Sequence, residues 1–210
     1  MISRLPAARE QIRRASEVMA RAFFHDPLYQ YLIPDEARRE RLLPSFHGIT
    51  IRYALRYGEV YTTPSLDGLA CWLSPGHTTP TWWGMLRAAM HGAPASFGMR
   101  GLRRYLPVGT YIEKLHEQAV SGPHWYLWEL GVDPSCQRKG IGGRLMQPIL
   151  VRAARDGPPC YLETMKEANV PFYEKHGFAV VSNGVVPGCG LRVWGMKRAS
   201  RDTEHADQYS

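Results

Sequence analysis

No apolar run in these 210 residues approaches the roughly 18 needed to cross a bilayer. Residues 1–17 lack the apolar core of a secretory signal, and the expectation is a cytoplasmic protein. Cysteine is scarce: Cys71, Cys136, Cys160 and Cys189 stand 65, 24 and 29 residues apart. With no Cys-x-x-Cys pair, a zinc module and a disulfide scaffold are excluded, no metal is expected, and four free thiols in a reducing compartment remain. Internal repeats are absent. So are the Gly-x-x-x-x-Gly-Lys-Ser/Thr loop and a complete Gly-x-Gly-x-x-Gly fingerprint. No Ser/His/Asp set is suggested by spacing; His25, His47, His77, His91 and His116 are isolated and read as core or surface residues.

What is present is a globular composition, 44% hydrophobic and 21% charged, with enough chain for one sizeable core. Lys and Arg number 26 against 19 Asp and Glu, a net charge of +7. A nucleic-acid surface would gather such charge into one face, but here it is scattered. Arg38, Arg39 and Arg41, like Arg100, Arg103 and Arg104, fall at helical spacing and read as solvated helix faces. Arg138, Lys139 and Arg144 instead surround a glycine-rich loop, which suits a phosphate-bearing small ligand rather than nucleic acid or a membrane.

Apolar residues at spacings of three and four predict helices over 7–24 and from Asp35 to about Tyr57, with a short one over Leu28–Leu32 between them. Glu59–Thr63 and Gly68–Ser74 read as a hairpin. Residues 75–122 are rich in Gly, Pro, Met and Trp, with helical stretches near 81–91 and 100–120; Trp82, Trp83, Met85, Met90 and Met99 are core filler or an adaptable lid. His124–Val132 is a strand whose even face, Tyr126, Trp128, Leu130 and Val132, is apolar. A helix over 139–156, a strand over Cys160–Thr164, a short helix over Pro171–His176, and strands over Phe178–Ser182 and Leu191–Met196 follow. The order strand–helix–strand between 124 and 164 predicts a right-handed parallel crossover in a mixed sheet. Residues 199–210 read as a disordered tail.

Gln137-Arg138-Lys139-Gly140-Ile141-Gly142-Gly143-Arg144 joins a strand to a helix. Its glycines admit close backbone approach and positive φ, and the first N–H groups of the helix form the positive end of its dipole. Flanked by three cations, this is an anion site suited to a pyrophosphate.

Gln137-x-x-Gly140-x-Gly142 resembles the Gln/Arg-x-x-Gly-x-Gly/Ala signature of the GNAT superfamily of N-acetyltransferases. Leu162-Glu163-Thr164 followed by Asn169-Val170-Pro171-Phe172-Tyr173 and Gly177-Phe178 resembles that superfamily's last helix and strand. The likeness over 124–198, Pro148 inside the long helix included, is greatest to its puromycin N-acetyltransferase-like members and looser over 1–123. The resemblance implies one α/β (α+β) domain over 1–198: a mixed, mostly antiparallel sheet splayed in its middle and flanked by helices. Residues 1–123, with a helical insertion at 75–122, would form the acceptor side, and 124–198 the acetyl-CoA side.

The activity so implied is acetyl-CoA-dependent N-acetylation of a small-molecule amine, an antibiotic or metabolite, in a ternary complex of a monomer or homodimer. Alternatives are acetylation of a protein Lys or N-terminus, or a non-catalytic acyl-CoA sensor. The cosubstrate's phosphates fall to Gln137, Arg138, Lys139, Gly140, Ile141, Gly142, Gly143 and Arg144. Leu130, Gly131 and Val132 would hold the thioester arm, with Asn169, Phe172 and Tyr173 across from them. Glu163 is the first choice of base and Glu129 the second; Tyr173 would protonate the leaving thiolate. Phe24, Tyr31, Trp83 and Met85 are candidates for the acceptor pocket.

Overall fold

The computed structural model describes residues 1–80 and 98–199, apart from the side chains of 98–100 and 156. The helix expected near 81–91, the lid and pocket residues Trp82, Trp83, Met85 and Met90, and residues 200–210 lie outside the described residues.

Helix α1 spans Arg9–Phe23 and buries the row Ile12, Ala15, Val18 and Met19. Burying each large apolar side chain stabilises by roughly 1.5–3 kcal/mol. Asp26 accepts the Leu28 N–H at 3.0 Å and so starts α2, Pro27–Leu32; Asp35 does the same for α3, Glu36–Tyr57, through the Arg38 N–H at 2.7 Å. Two strands follow, β2 (Gly58–Thr62) and β3 (Gly68–Leu73). A two-residue strand β1, Ser3–Arg4, pairs with β2 and was not expected; it is too short to carry a periodic signal.

Helix α4 covers Gly98–Ala119, ahead of β4, Trp125–Val132. Then come α5 (Ile141–Asp156), β5 (Cys160–Thr164), α6 (Val170–Glu174), β6 (Ala179–Val185) and β7 (Arg192–Arg198). Among the described residues seven strands form one sheet in the order β1-β2-β3-β4-β5-β7-β6. Only β4 and β5 are parallel, joined through α5, as the strand–helix–strand order predicts. A mixed, mostly antiparallel sheet flanked by helices is the architecture.

Two layers cover it. Helices α1 and α3 close one face around Met19, Ile51, Tyr53, Leu69, Tyr126 and Tyr161. Helix α5 closes the other around Trp72, Leu127, Leu145, Ile149, Leu162 and Met196. Pro148 sits inside α5, which nevertheless runs on to Asp156.

Two expectations need correction. Arg39 is not on a solvated face: it is 1% exposed, donates to the Ile33 and Pro34 carbonyls at 2.8 and 3.1 Å and lies 4.6 Å from the Phe24 ring centroid. Those carbonyls hold Nη1 and Glu36 holds Nη2 at 3.3 Å, which offsets the burial, although Nε has no partner. Nor does β4 have one apolar even face. Cys71 pairs with Glu129 but Trp72 with Leu127, so Trp128 is an extra residue, a β-bulge. Tyr126 and Trp128 therefore pack under α1 and α3, whereas Leu130 and Val132 pack under α5.

Candidate active site

Strands β4 and β5 pair only at Trp125↔Cys160 and Tyr126↔Tyr161. Past these residues β4 stays on β3 as far as Val132, and β5 stays on β7 as far as Thr164. The bulge lies just beyond the last β4–β5 pair, and bulges add local twist. A wedge opens in the middle of the sheet, and backbone polar groups of 127–132 that face it lack sheet partners. Leu130 and Val132 line β4 there. Gly131 is held against α1, where a Cβ would lie 2.7 Å from Met19 Sδ and 3.1 Å from Ala22 Cβ.

The glycine-rich loop leaves the open end of β4. Gln137 Nε2 donates to the Val132 carbonyl at 3.0 Å, and Lys139 Nζ to the Ser135 carbonyl at 3.2 Å. Arg138 at φ 59° and Gly140 at φ 72° make the turn into α5. The glycines serve different ends. Gly140 has open space around it, and only its φ asks for glycine. A Cβ on Gly142 would stand 3.2 Å from the Phe172 ring, and on Gly143 2.5 Å from His176 Nε2. Those two admit α6 onto the start of α5, a packing role that the sequence reading assigned to ligand approach. Ile141 is buried beneath them, while the exposed Arg138, Lys139 and Arg144 form no ion pair among the described residues. Free cations, a helix N-terminus with unpaired N–H groups and a wedge behind them fit a ligand with phosphates and a slender arm.

Two buried carboxylates flank the wedge. Glu129, on β4, faces His47 of α3, whose Nδ1 lies 3.0 and 3.1 Å from its two oxygens. The Tyr29 hydroxyl of α2 donates to Oε1 at 3.4 Å. Phe23, Tyr29 and Phe46 ring the imidazole, with centroids 5.1–5.8 Å away. Both oxygens of Glu129 are thus engaged.

Glu163, on β5, is different. The Tyr126 hydroxyl donates to Oε2 at 2.7 Å, but Oε1 is buried without a hydrogen-bond partner. Burial drives the Glu163 pKa up to about 7, against the opposing hydrogen bond from Tyr126 and the influence of the nearby Tyr161 hydroxyl. A carboxyl that ionises near neutral pH suits a general base.

Tyr173 is buried on α6, its ring 5.1 Å from that of Phe172 and 6.0 Å from that of Phe178. Burial and then the Asp26 charge raise its pKa, so its hydroxyl keeps its proton at neutral pH. Asp26, 3.5 Å from Lys166 Nζ, also raises the Tyr29 pKa, after burial and Glu129. Tyr105 of α4 interacts with both Tyr29 and Tyr126. Electrostatic influence thus links Tyr29, Glu129 and Tyr173 to Asp26, and Tyr29, Tyr126 and Glu163 to Tyr105. Asn169 does not cap α6 with its side chain; its Nδ2 donates to Thr164 Oγ1 at 3.1 Å and ties α6 to the open end of β5.

His47 is a core residue, as the sequence suggests, but neither it nor His116 is isolated, and the partner roles of Tyr29, His124 and Tyr126 were not foreseen. His47 had a signal: it lies in α3 with Leu43, Phe46 and Thr50, and a histidine on such an apolar row needs a buried partner, which a carboxylate in a central strand supplies. Among the described residues no cluster of His, Cys, Asp and Glu could hold a metal, and no helix is long and apolar enough to cross a membrane.

An uncharacterised N-acetyltransferase of Schizosaccharomyces pombe is 29% identical over 175 residues, covering 79% of this chain and 70% of that protein. Among solved structures, a Corynebacterium glutamicum histone acetyltransferase HPA2 and related acetyltransferase superposes with a TM-score of 0.64 at 21% identity, over 95% of this chain and 96% of that one. Arylalkylamine N-acetyltransferase 2 of Aedes aegypti gives 0.57 at 12% identity, over 95% and 98%. These structural likenesses establish the fold. The Acetyltransferase (GNAT) family model matches residues 62–178, from the last residue of β2 through the splayed strands, the glycine loop and α6 to the residue before β6. With the wedge, the loop and the matched stretch coinciding, this chain is an acetyltransferase of the GNAT family.

Proposed function

We propose that the protein transfers acetyl from acetyl-CoA to the amine of a small molecule, with Glu163 as general base and Tyr173 as general acid. Acetyl-CoA supplies an activated thioester; everything else falls to this chain. The N–H groups opening α5, with Arg138, Lys139 and Arg144, bind the phosphates. Unpaired N–H groups of β4 near Leu130–Val132 hold the thioester carbonyl, each such donor contributing about 3 kcal/mol to the transition state. Glu163 takes a proton from the acceptor ammonium, directly or through one water, and frees the lone pair that attacks. Tyr173 returns a proton to the departing sulfur. Asn169 and Phe172 border the arm from the α6 side.

The observation that carries this reading is the buried, bare Oε1 of Glu163 beside the wedge. It favours Glu163 over Glu129, whose oxygens are already held by His47 and Tyr29. A small acceptor is favoured because α4 lies across the acceptor side: Val108 and Leu115 pack with Val186, Val193, Leu28 and Tyr31, and Arg104 donates to the Tyr31 carbonyl at 3.1 Å. That roof leaves less room for an extended peptide. The puromycin N-acetyltransferase-like blocks around Glu163 and Asn169 point to the same substrate class. Thiol release from acetyl-CoA with a panel of small amines, against a panel of Lys- and N-terminal peptides, tests this. Turnover with small amines is expected; turnover confined to peptides would overturn the acceptor assignment.

A further inference from the structure

We propose that His116 and His124 are positioning residues for Glu163: the Gly122 carbonyl fixes both imidazole tautomers so that a bare nitrogen of His116, not an N–H, faces the carboxylate. This rests on the reading of Glu163 as the base.

His124 Nδ1 lies 2.8 Å from the Gly122 carbonyl oxygen, which only accepts, so Nδ1 carries the hydrogen. A neutral His124 then has a lone pair on Nε2. His116 Nε2 is 2.7 Å from it and must donate. A neutral His116 with hydrogen on Nε2 has none on Nδ1, the atom 3.6 Å from Glu163 Oε1. Lone pair facing lone pair explains both that separation, too long for a hydrogen bond, and the lack of a partner on a buried oxygen. Neutrality of the two rings follows from their surroundings. Burial, and then the neighbouring His124, push His116 down to about 4; burial and Lys197 of β7 lower His124 against the Gly122 hydrogen bond.

The other groups facing this cluster leave the pattern intact. From β4, Tyr126 donates to Oε2, not Oε1. From β5, the Tyr161 ring lies 4.4 Å from the His116 ring; its hydroxyl interacts with Glu163 and with Ser182 of β6. From α4, Tyr105 feels both Glu163 and Glu113. None of these places a cation against Oε1.

The catalytic consequence is a base whose protonated form is the better satisfied one. When the acceptor's N–H bond breaks, its electron pair stays on nitrogen and the proton forms an O–H bond on Glu163. Held on Oε1, that hydrogen has the His116 Nδ1 lone pair to turn toward once the 3.6 Å separation shortens, whereas the ionised oxygen meets a lone pair there. The two histidines thereby keep Glu163 from settling as a satisfied carboxylate.

Imidazole nitrogen chemical shifts of the apoenzyme read the tautomers directly. Hydrogen on His116 Nε2 and on His124 Nδ1 is expected; a His116 Nδ1–H tautomer overturns the proposal without any variant. The Glu163 carboxyl carbon is then titrated in wild type, His124→Phe and His124→Gln. Wild type should titrate near 7. In His124→Phe the His116 ring is free to turn an N–H to Glu163, and the midpoint should fall by about one unit or more, since a hydrogen bond to the charged form favours it. His124→Gln, with an amide oxygen to accept from His116, should restore it. One midpoint in all three proteins overturns the proposal. Undiminished acetylation by Glu163→Gln would instead remove the base assignment while leaving the tautomer measurements standing.

Discussion

A carboxyl group with one oxygen hydrogen-bonded and the other buried and bare resists ionisation, and this sets the pH behaviour of Glu163. With its pKa raised to about 7, kcat should climb through an apparent pKa near 7 as the base ionises. Glu163→Gln should flatten that limb and lower kcat by about 10²–10³, within the range of general-base contributions. The sign for stability is the opposite. A carboxyl whose pKa is higher folded than unfolded contributes stability that is full below about 4.5 and lost as pH rises through about 7. Glu163→Gln should therefore melt above wild type at pH 8, by a margin on the order of 3 kcal/mol, and show no such gain at pH 4; melting curves at the two pH values decide it. Tyr173→Phe should lower kcat about 10²-fold while its CoA dissociation constant, read by calorimetry, stays within about twofold. Much of this scale was legible. Glu163 and Tyr173 stand in the Leu-Glu-Thr and Asn-x-x-x-Tyr blocks. What sequence could not give was which carboxylate is already satisfied, because His47 lies 82 residues from Glu129 and His116 reaches Glu163 from another helix.

At the scale of elements, the periodic segments were legible and the irregular ones were not. Helices α1, α3 and α5 follow their apolar rows, and β4–α5–β5 follows from alternation and order. The bulge at Trp128 escaped detection because Tyr126, Trp128, Leu130 and Val132 stay apolar across it, so the alternation in sequence shows no break. The loop was located correctly, yet two of its glycines face α6 rather than open space. That distinction is testable. Gly143→Ala should destabilise by about 1–3 kcal/mol through overpacking against His176. Adding His176→Ala should recover most of that loss, so that the pair is non-additive in a denaturation cycle. Additive losses would show that the His176 contact is not the constraint.

For the whole molecule, the net charge of +7 divides into a cluster at the glycine loop, to which the proposed function gives a task, and a remainder without one. Arg138, Lys139 and Arg144 gather where the sheet opens. Arg39 is buried by carbonyls and an aromatic ring, and Arg13 pairs with Glu10 and Glu17 on α1. On the proposed reading the basic excess that matters is local, and the wedge flanked by α5 and α6 would give a phosphate-bearing ligand its way in. CoA should accordingly raise the melting temperature in proportion to the logarithm of its concentration, and Arg138→Ala/Arg144→Ala should blunt that rise without lowering the unliganded melting temperature. The most direct single measurement is the pH dependence of thiol release from acetyl-CoA with a small-amine panel, wild type beside Glu163→Gln. Turnover rising through an apparent pKa near 7 in the wild type, and lost in the variant, is the expected result. Equal rates in the two proteins, or no thiol release with any small amine, would contradict acetyl transfer to a small amine by Glu163.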